Sequence, residues 1–273
     1  MNLSSNPSPL QNKAVLVTGA AKRLGSEIAL ECARQGWDVA IHFGQSESEA
    51  RATVAEIEGL GRRAKAFQAD LAQEDEINRL FLAVSSEFEN LACLVNSASI
   101  FKFDRANSTT PLSGKNLHEH MQVNLAAPIL LSQHMFAYCK KRSLDNSETA
   151  SSIASVIQLL DQKLINLNPD FLSYTLSKAA LLTSVELLAV DFAPHLRVVG
   201  LAPGISLVSG DQTSEGFAKA HQMTPLGKSS TPTDIAKAAV FLASANAITG
   251  TTLYVDGGQH LLSSSRDVMF KTN

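Results

Sequence analysis

The feature that most constrains this chain is an apolar run, Ala14-Val15-Leu16-Val17. It opens into Thr18-Gly19-Ala20-Ala21-Lys22-Arg23-Leu24-Gly25 and passes directly into a segment of helical spacing. A buried strand that enters a helix through such a turn leaves backbone N–H groups and the positive helix end facing outward. The alternation continues along the chain. Strand-like segments at 39–43, 64–68, 92–95, 152–160, 197–201 and 252–255 interleave with helical spacing at 23–35, 47–60, 74–88, 117–140, 174–192 and 233–244. This order predicts an α/β fold: one doubly wound Rossmann-type domain of about seven parallel strands, with helices on both faces and ligands at the strands' carboxyl ends. The expected organisation is a flexible segment at 1–12, the domain at 13–262 with a lid near 207–224, and a tail at 263–273.

Composition excludes several functions. Of 273 residues, 45% are hydrophobic and 18% charged, enough apolar material for a substantial core. A net charge of −3 gives no general attraction to nucleic acid or anionic membranes, and Lys140-Lys141-Arg142 reads as a solvated helix end. Cys32, Cys93 and Cys139 have no metal-ligand spacing, and their odd number fits a reducing compartment. There is no signal-peptide or membrane-length apolar run, so a cytoplasmic protein without a metal is expected.

In the first turn, Gly19 permits the tight bend and Gly25 permits close approach of helix to strand. The spacing Thr-Gly-x-x-x-Arg-x-Gly resembles the short-chain dehydrogenase/reductase family, and Arg23 at the middle position resembles its pteridine reductase and dihydromonapterin reductase-like branch. The resemblance covers about residues 13–260 and implies a nicotinamide cofactor against Gly19, Lys22, Arg23, Leu24 and Gly25. After the second strand, Ile41-His42-Phe43-Gly44-Gln45-Ser46 has no acid to repel a 2′-phosphate. Lys22, His42 and Ser46 are candidates to face that phosphate, so NADPH is the expected cofactor, although the related reductases tend to carry arginine where Gln45 stands. The resemblance further implies that Asp70 and Leu71 meet the adenine, and that Asn96, Ser97 and Ala98 pass under the cofactor.

Tyr174 and Lys178 stand at i and i+4 on one helix face. A unit charge about 4 Å from a phenol, worth roughly 4 kcal/mol at a dielectric of 20, would lower its pKa from about 10 toward about 7. Relatives place a serine 12 or 13 residues before this tyrosine, whereas here that position is Asp161. A carboxylate would oppose charge on a ketone oxygen but suits a heterocycle that presents N–H groups and an imine nitrogen to be protonated. Asp161, Tyr174 and Lys178 together resemble a pteridine reductase. That likeness implies Phe101 stacked on the pterin, Arg23 and Ser99 orienting it, and Asn124 holding a relay water. It also implies that Pro203, Gly204 and Ser206 pass the nicotinamide. Val255-Asp256-Gly257-Gly258 is a further landmark of the family.

The expected activity is NADPH-dependent reduction of a dihydropterin or dihydrofolate to the tetrahydro form, with reduction of the oxidised pterin left open. A carbonyl reductase acting on 3-oxoacyl thioesters is the alternative, and a non-catalytic NADPH sensor a distant one, since both Tyr174 and Lys178 are retained. The family likeness also implies a homotetramer built on the helix that carries Tyr174.

Overall fold

Parallel pairing of β1 (Ala14–Val17) with both β2 (Asp38–Phe43) and β4 (Leu91–Asn96) fixes the centre of the sheet. The computed structural model describes residues 13–107, 109, 111–145, 153–208 and 212–272. With β3 (Ala64–Gln68), β5 (Ala154–Leu159), β6 (Leu196–Pro203) and β7 (Thr252–Val255), the sheet has seven parallel strands in the order β3-β2-β1-β4-β5-β6-β7. Its growth reverses between β1 and β4, and a crevice opens at the carboxyl ends of those strands.

Both faces of the sheet are covered, so its strands are apolar throughout rather than alternating. On one face Val15, Val17, Val39 and Ile41 pack with α1 (Arg23–Arg34), α2 (Glu47–Gly59) and α8 (Pro232–Ser244). On the other, Leu16, Leu94, Val156 and Val198 pack with α3 (Glu74–Glu87), α5 (Ala127–Asp145) and α6 (Leu172–Phe192). The shorter α4 (Gly114–Met121) packs on α6, and α7 (Ser214–Gln222) packs on α9 (Met269–Thr272), whose Met269 lines the crevice.

Several boundaries differ from expectation. The single helix predicted at 117–140 is three pieces: α4, a π-turn at Gln122–Ala126, and α5. Pro128 has no N–H to give the Asn124 carbonyl, while the Ala127 N–H reaches back to Gln122 O, so the turn widens. β4 and β6 are longer than predicted because partners on both sides extend their ladders. Within the expected tail, residues 266–270 are tied to the domain. Arg266 and Asp267 bind Asp170, and Phe270 packs on Phe103 and Phe171. The 1–12 segment, residue 152 of the predicted fifth strand, residues 146–151 before it, and 209–211 of the predicted lid lie outside the described residues. No helix among the described residues is long and apolar enough to cross a membrane.

Candidate active site

A cleft of about 1260 Å³ runs along the strand ends, from the turn after β1 to α9. Its nucleotide side begins with Gly19, at φ +63°, where a Cβ would lie 2.8 Å from Ala98 Cα. Gly25 is equally constrained: a Cβ there would lie 2.3 Å from Gly19 O. The Thr18 hydroxyl accepts from Ser97 N and Ala98 N, both at 3.0 Å, which ties the two central strand ends together. α1 has no side-chain N-cap and no acid in its first turn, so its positive end stays available to an anion. Lys22, Leu24, Gln45, Ser46, Asp70, Leu71, Pro203 and Gly204 line the cleft as well. Arg23 holds a left-handed backbone (φ 60°) that glycine would adopt freely, and its guanidinium donates to Val208 O at 3.1 Å. It therefore bridges the turn and the segment after β6 across the mouth.

His42 does not face a phosphate. It is buried, its Nδ1 accepts from Gly19 N at 3.1 Å, and its Nε2 therefore carries the hydrogen and donates to Ala69 O at 3.1 Å. Burial lowers its pKa from 6.5 to about 4. The unfolded chain takes up this proton near the ordinary value, the folded chain only near the lowered one. Stability from His42 is thus complete above pH 6.5 and declines as pH falls toward 4, by about 3 kcal/mol at the limit. Denaturant titrations of His42→Gln should show a flatter acid slope than the unmodified protein; identical slopes would eliminate this account.

The side chains of Asn96 and Asn124 also turn away from the cleft, behind its wall. Asn96 Nδ2 donates to Gln158 Oε1 and Pro128 O, so that side chain joins the core beneath the strand end. Asn124 grips Ile100: its Oδ1 accepts from Ile100 N at 2.8 Å and from Ser99 Oγ, and its Nδ2 donates to Ile100 O and Ser177 Oγ. With its side-chain amide occupied on all sides, Asn124 positions the loop carrying Ser99 and Phe101. The Ser206 hydroxyl is likewise committed, to Gly204 O and Ser230 Oγ, though Ser206 borders the cleft.

The reactive end brings Asp161, Tyr174 and Lys178 together. Asp161 follows β5, and its Oδ1 accepts from Lys163 N at 2.9 Å. Its Oδ2 accepts from Tyr174 Oη at 2.9 Å. Lys178 Nζ donates to Leu159 O at 2.6 Å and lies 5.9 Å from the Tyr174 ring centroid. The titration expected for the tyrosine is reversed: burial, then the adjacent Asp161 carboxylate, push Tyr174 well above 10. Burial raises Asp161, against the Lys163 N–H and the Tyr174 hydroxyl, and burial lowers Lys178 to about 8. A phenol that donates to a carboxylate keeps its proton. The arrangement is a protonated phenol bonded to a carboxyl group whose pKa burial raises, beside a lysine.

Phe101, 43% exposed, stacks at 4.0 Å on Phe171 and meets Tyr174 edge-on at 4.7 Å. Its other face is turned to the cleft, a flat apolar wall for a ring. Sequence reasoning missed four contributors here. Phe171, at φ 56°, backs Phe101; Asp104 accepts from Ser173 N and caps α6. Gln212 and Asp267 line the cleft from segments distant in sequence, and no local pattern marks them.

A nucleotide-sized cleft at the switch point, beside a Tyr-x-x-x-Lys helix, defines a dinucleotide-dependent oxidoreductase. A family profile described as enoyl-(acyl carrier protein) reductase matches residues 19–260. The chain belongs to the short-chain dehydrogenase/reductase family. It is 32% identical over 262 residues to 3beta-hydroxysteroid dehydrogenase 1 of Eggerthella lenta, covering 92% of this chain and 95% of that one. It is 29% identical over 255 residues to the 3-oxoacyl-[acyl-carrier-protein] reductase FabG of Staphylococcus epidermidis, covering 92% and 100%. Among solved structures it resembles FolM alternative dihydrofolate reductase 1 from Brucella canis, complexed with NADP: TM-score 0.84, 32% identity, 94% and 98% coverage. The Brucella suis FolM complex with NADP gives 0.83, 33%, 94% and 99%. These neighbours set the chain beside a pteridine-reductase-like branch of the family.

Proposed function

We propose that this protein uses NADPH to reduce the C=N bond of a dihydropterin or dihydrofolate. The observation that carries this reading is the Asp161–Tyr174 hydrogen bond at the position where relatives place a serine. A carbonyl reductase needs a donor toward its developing oxyanion. A carboxyl group instead accepts from ring N–H groups, or, in its protonated form, which burial favours, supplies a proton to an imine nitrogen. The FolM likeness supports the same substrate class.

The residues fit the cofactor. The open α1 terminus and the backbone of 19–25 suit a diphosphate, and Lys22 and Ser46 suit a 2′-phosphate where no acid stands. Bound there, NADPH supplies a hydride to the ring carbon of the C=N bond. Phe101 supports the flat ring, and Arg23 and Ser99 border its edge. Tyr174 Oη gives its proton to the ring nitrogen, and the Asp161 carboxyl returns one to the phenol oxygen. Lys178 keeps positive charge beside the emptied pair. The test follows NADPH absorbance with a dihydropterin panel and an acetoacetyl thioester. Turnover of dihydropterins alone is expected; turnover of the thioester alone would overturn the substrate assignment and favour the carbonyl chemistry named for FabG.

Self-association accompanies this reading. Leu176, Leu187 and Val190 (81% exposed) stand out from α6, next to an apolar groove lined by Ile129, Phe136 and Leu144 of α5. A second copy covering this face, and a tetramer overall, is expected by light scattering. Val190→Glu should shift the mass toward monomer, whereas a monomeric unmodified protein would discard the assignment.

A further inference from the structure

Two polar groups in the cleft have hydrogen-bonding capacity left unspent among the described residues, and neither belongs to the reductive machinery above. Gln212 is only 7% exposed and lines the cleft, yet its Nε2 has no partner among the described residues. A buried amide donor is costly to leave unpaired unless a ligand completes it. Asp267 lines the same cleft from the C-terminal segment. Its Oδ1 accepts from Met269 N at 3.2 Å and its Oδ2 stands 3.6 Å from Lys163 Nζ. A carboxylate has about four acceptor positions, so some remain.

Asp267 is held firmly. Its N–H and Arg266 Nε both donate to Asp170 Oδ2, at 2.8 and 2.7 Å, and Arg105 meets Asp170 Oδ1 at 3.4 Å. Lys163 donates to the Asp170 carbonyl. Lys163 and Arg266 are thus engaged by Asp170 rather than turned toward a ligand. Val268 and Met269 complete this wall, and α9 packs on α7, the helix that follows Gln212.

We propose that Asp267 and Gln212 are specificity-determining residues that hold the substituent beside the reduced C=N bond, Asp267 accepting from its hydroxyl group and Gln212 donating to it. A neutral hydroxyalkyl substituent is thereby favoured over a carboxylate. This assignment rests on the pterin reading. In a dihydropterin the substituent is attached to the carbon of the reduced C=N bond, so protonation by Tyr174 places that group near the proton donors. Asp267 is close enough to Asp161 and Tyr174 that its charge helps to raise both groups' pKa values. A hydroxyl both donates and accepts, which matches one free acceptor and one free donor. A carboxylate would accept from Gln212 but meet the charge of Asp267, and that like-charge repulsion opposes even a charge-assisted hydrogen bond.

The test measures binding of hydroxymethylpterin and carboxypterin, substituted on the same ring carbon, to the NADP+-loaded protein by pterin fluorescence. The unmodified protein is expected to favour the hydroxymethyl ligand by roughly tenfold. Asp267→Asn should cut that preference to about twofold or less, and Gln212→Leu should weaken both ligands by about fivefold with the ratio kept. An unchanged ratio in Asp267→Asn, with NADP+ affinity and circular dichroism intact, overturns the assignment alone. Should Asp267→Asn release the tail, seen as lost helical signal, Gln212→Leu decides, and no weakening there overturns it. If the unmodified protein binds neither ligand, the pterin reading falls and this assignment with it.

Discussion

Asp161→Ala should lower kcat on a dihydropterin by about 10²–10³-fold while NADPH affinity changes little. The substitution removes both the acceptor that orients Tyr174 Oη and the group that refills its proton, yet touches no part of the diphosphate turn. Asp161→Asn separates the two roles: the amide still accepts from Tyr174 but has no proton to give. Burial raises the Asp161 pKa, so a rate that needs its protonated form is full below that raised value and falls as pH climbs through it. In Asp161→Asn that descending limb should vanish. The same shift means the folded protein binds the proton more tightly than the unfolded chain, so it loses stability as pH rises through this range. Asp161→Asn should therefore keep or raise the neutral-pH Tm while activity collapses. A variant that is both inactive and less stable would mean that Asp161 holds the fold rather than the chemistry.

Arg197→Ala should be the most damaging single change to stability, costing about 3–5 kcal/mol and roughly 10 °C in Tm. Arg197 leaves β6 with only 3% exposure and reaches the end of α8, donating to Leu242 O, Ala243 O and Ile248 O at 2.9–3.1 Å. Helix-terminal carbonyls lack intrahelical donors, and a cation there also opposes the negative helix end. Truncation strips three buried carbonyls and opens a cavity. Arg197→Met, which fills the volume, should recover part of the loss. Thermal denaturation of the two variants checks the order, and equal Tm values would remove the carbonyl contacts from the account.

What could be read without coordinates was what short periods encode. Alternating apolar runs disclosed the seven strands, and the turn at 18–25 disclosed the end of the sheet that binds. Asp161, Tyr174 and Lys178 converge as their spacing on one strand end and one helix face required. Orientation was not legible. His42, Ser206 and Asn96 occupy the expected positions, but their polar atoms face Gly19, Ser230 and Gln158, partners that depend on packing between separate elements. The phenol's acidity was misjudged for a related reason: the i+4 spacing revealed the lysine, while the burial and then the carboxylate that raise the phenol's pKa come from packing against other elements. Asp267 and Gln212 lie 93 and 38 residues beyond Tyr174, with no motif around either.

The π-turn at Gln122–Ala126 turns a long rod into two with different tasks. One extra residue per turn rotates everything before it by about 100° relative to everything after it. That offset lets α4 face α6, with the buried His120 accepting from Lys102 N, while α5 faces α3. The segment is therefore a phase element, tolerant of side-chain exchange in places but not of a change in length. Loss of one residue there would remove that offset and swing His120 and Asn124 off the loop that carries Ser99 and Phe101. Relatives that share this cleft should vary in which residues fill 122–126, yet keep their number.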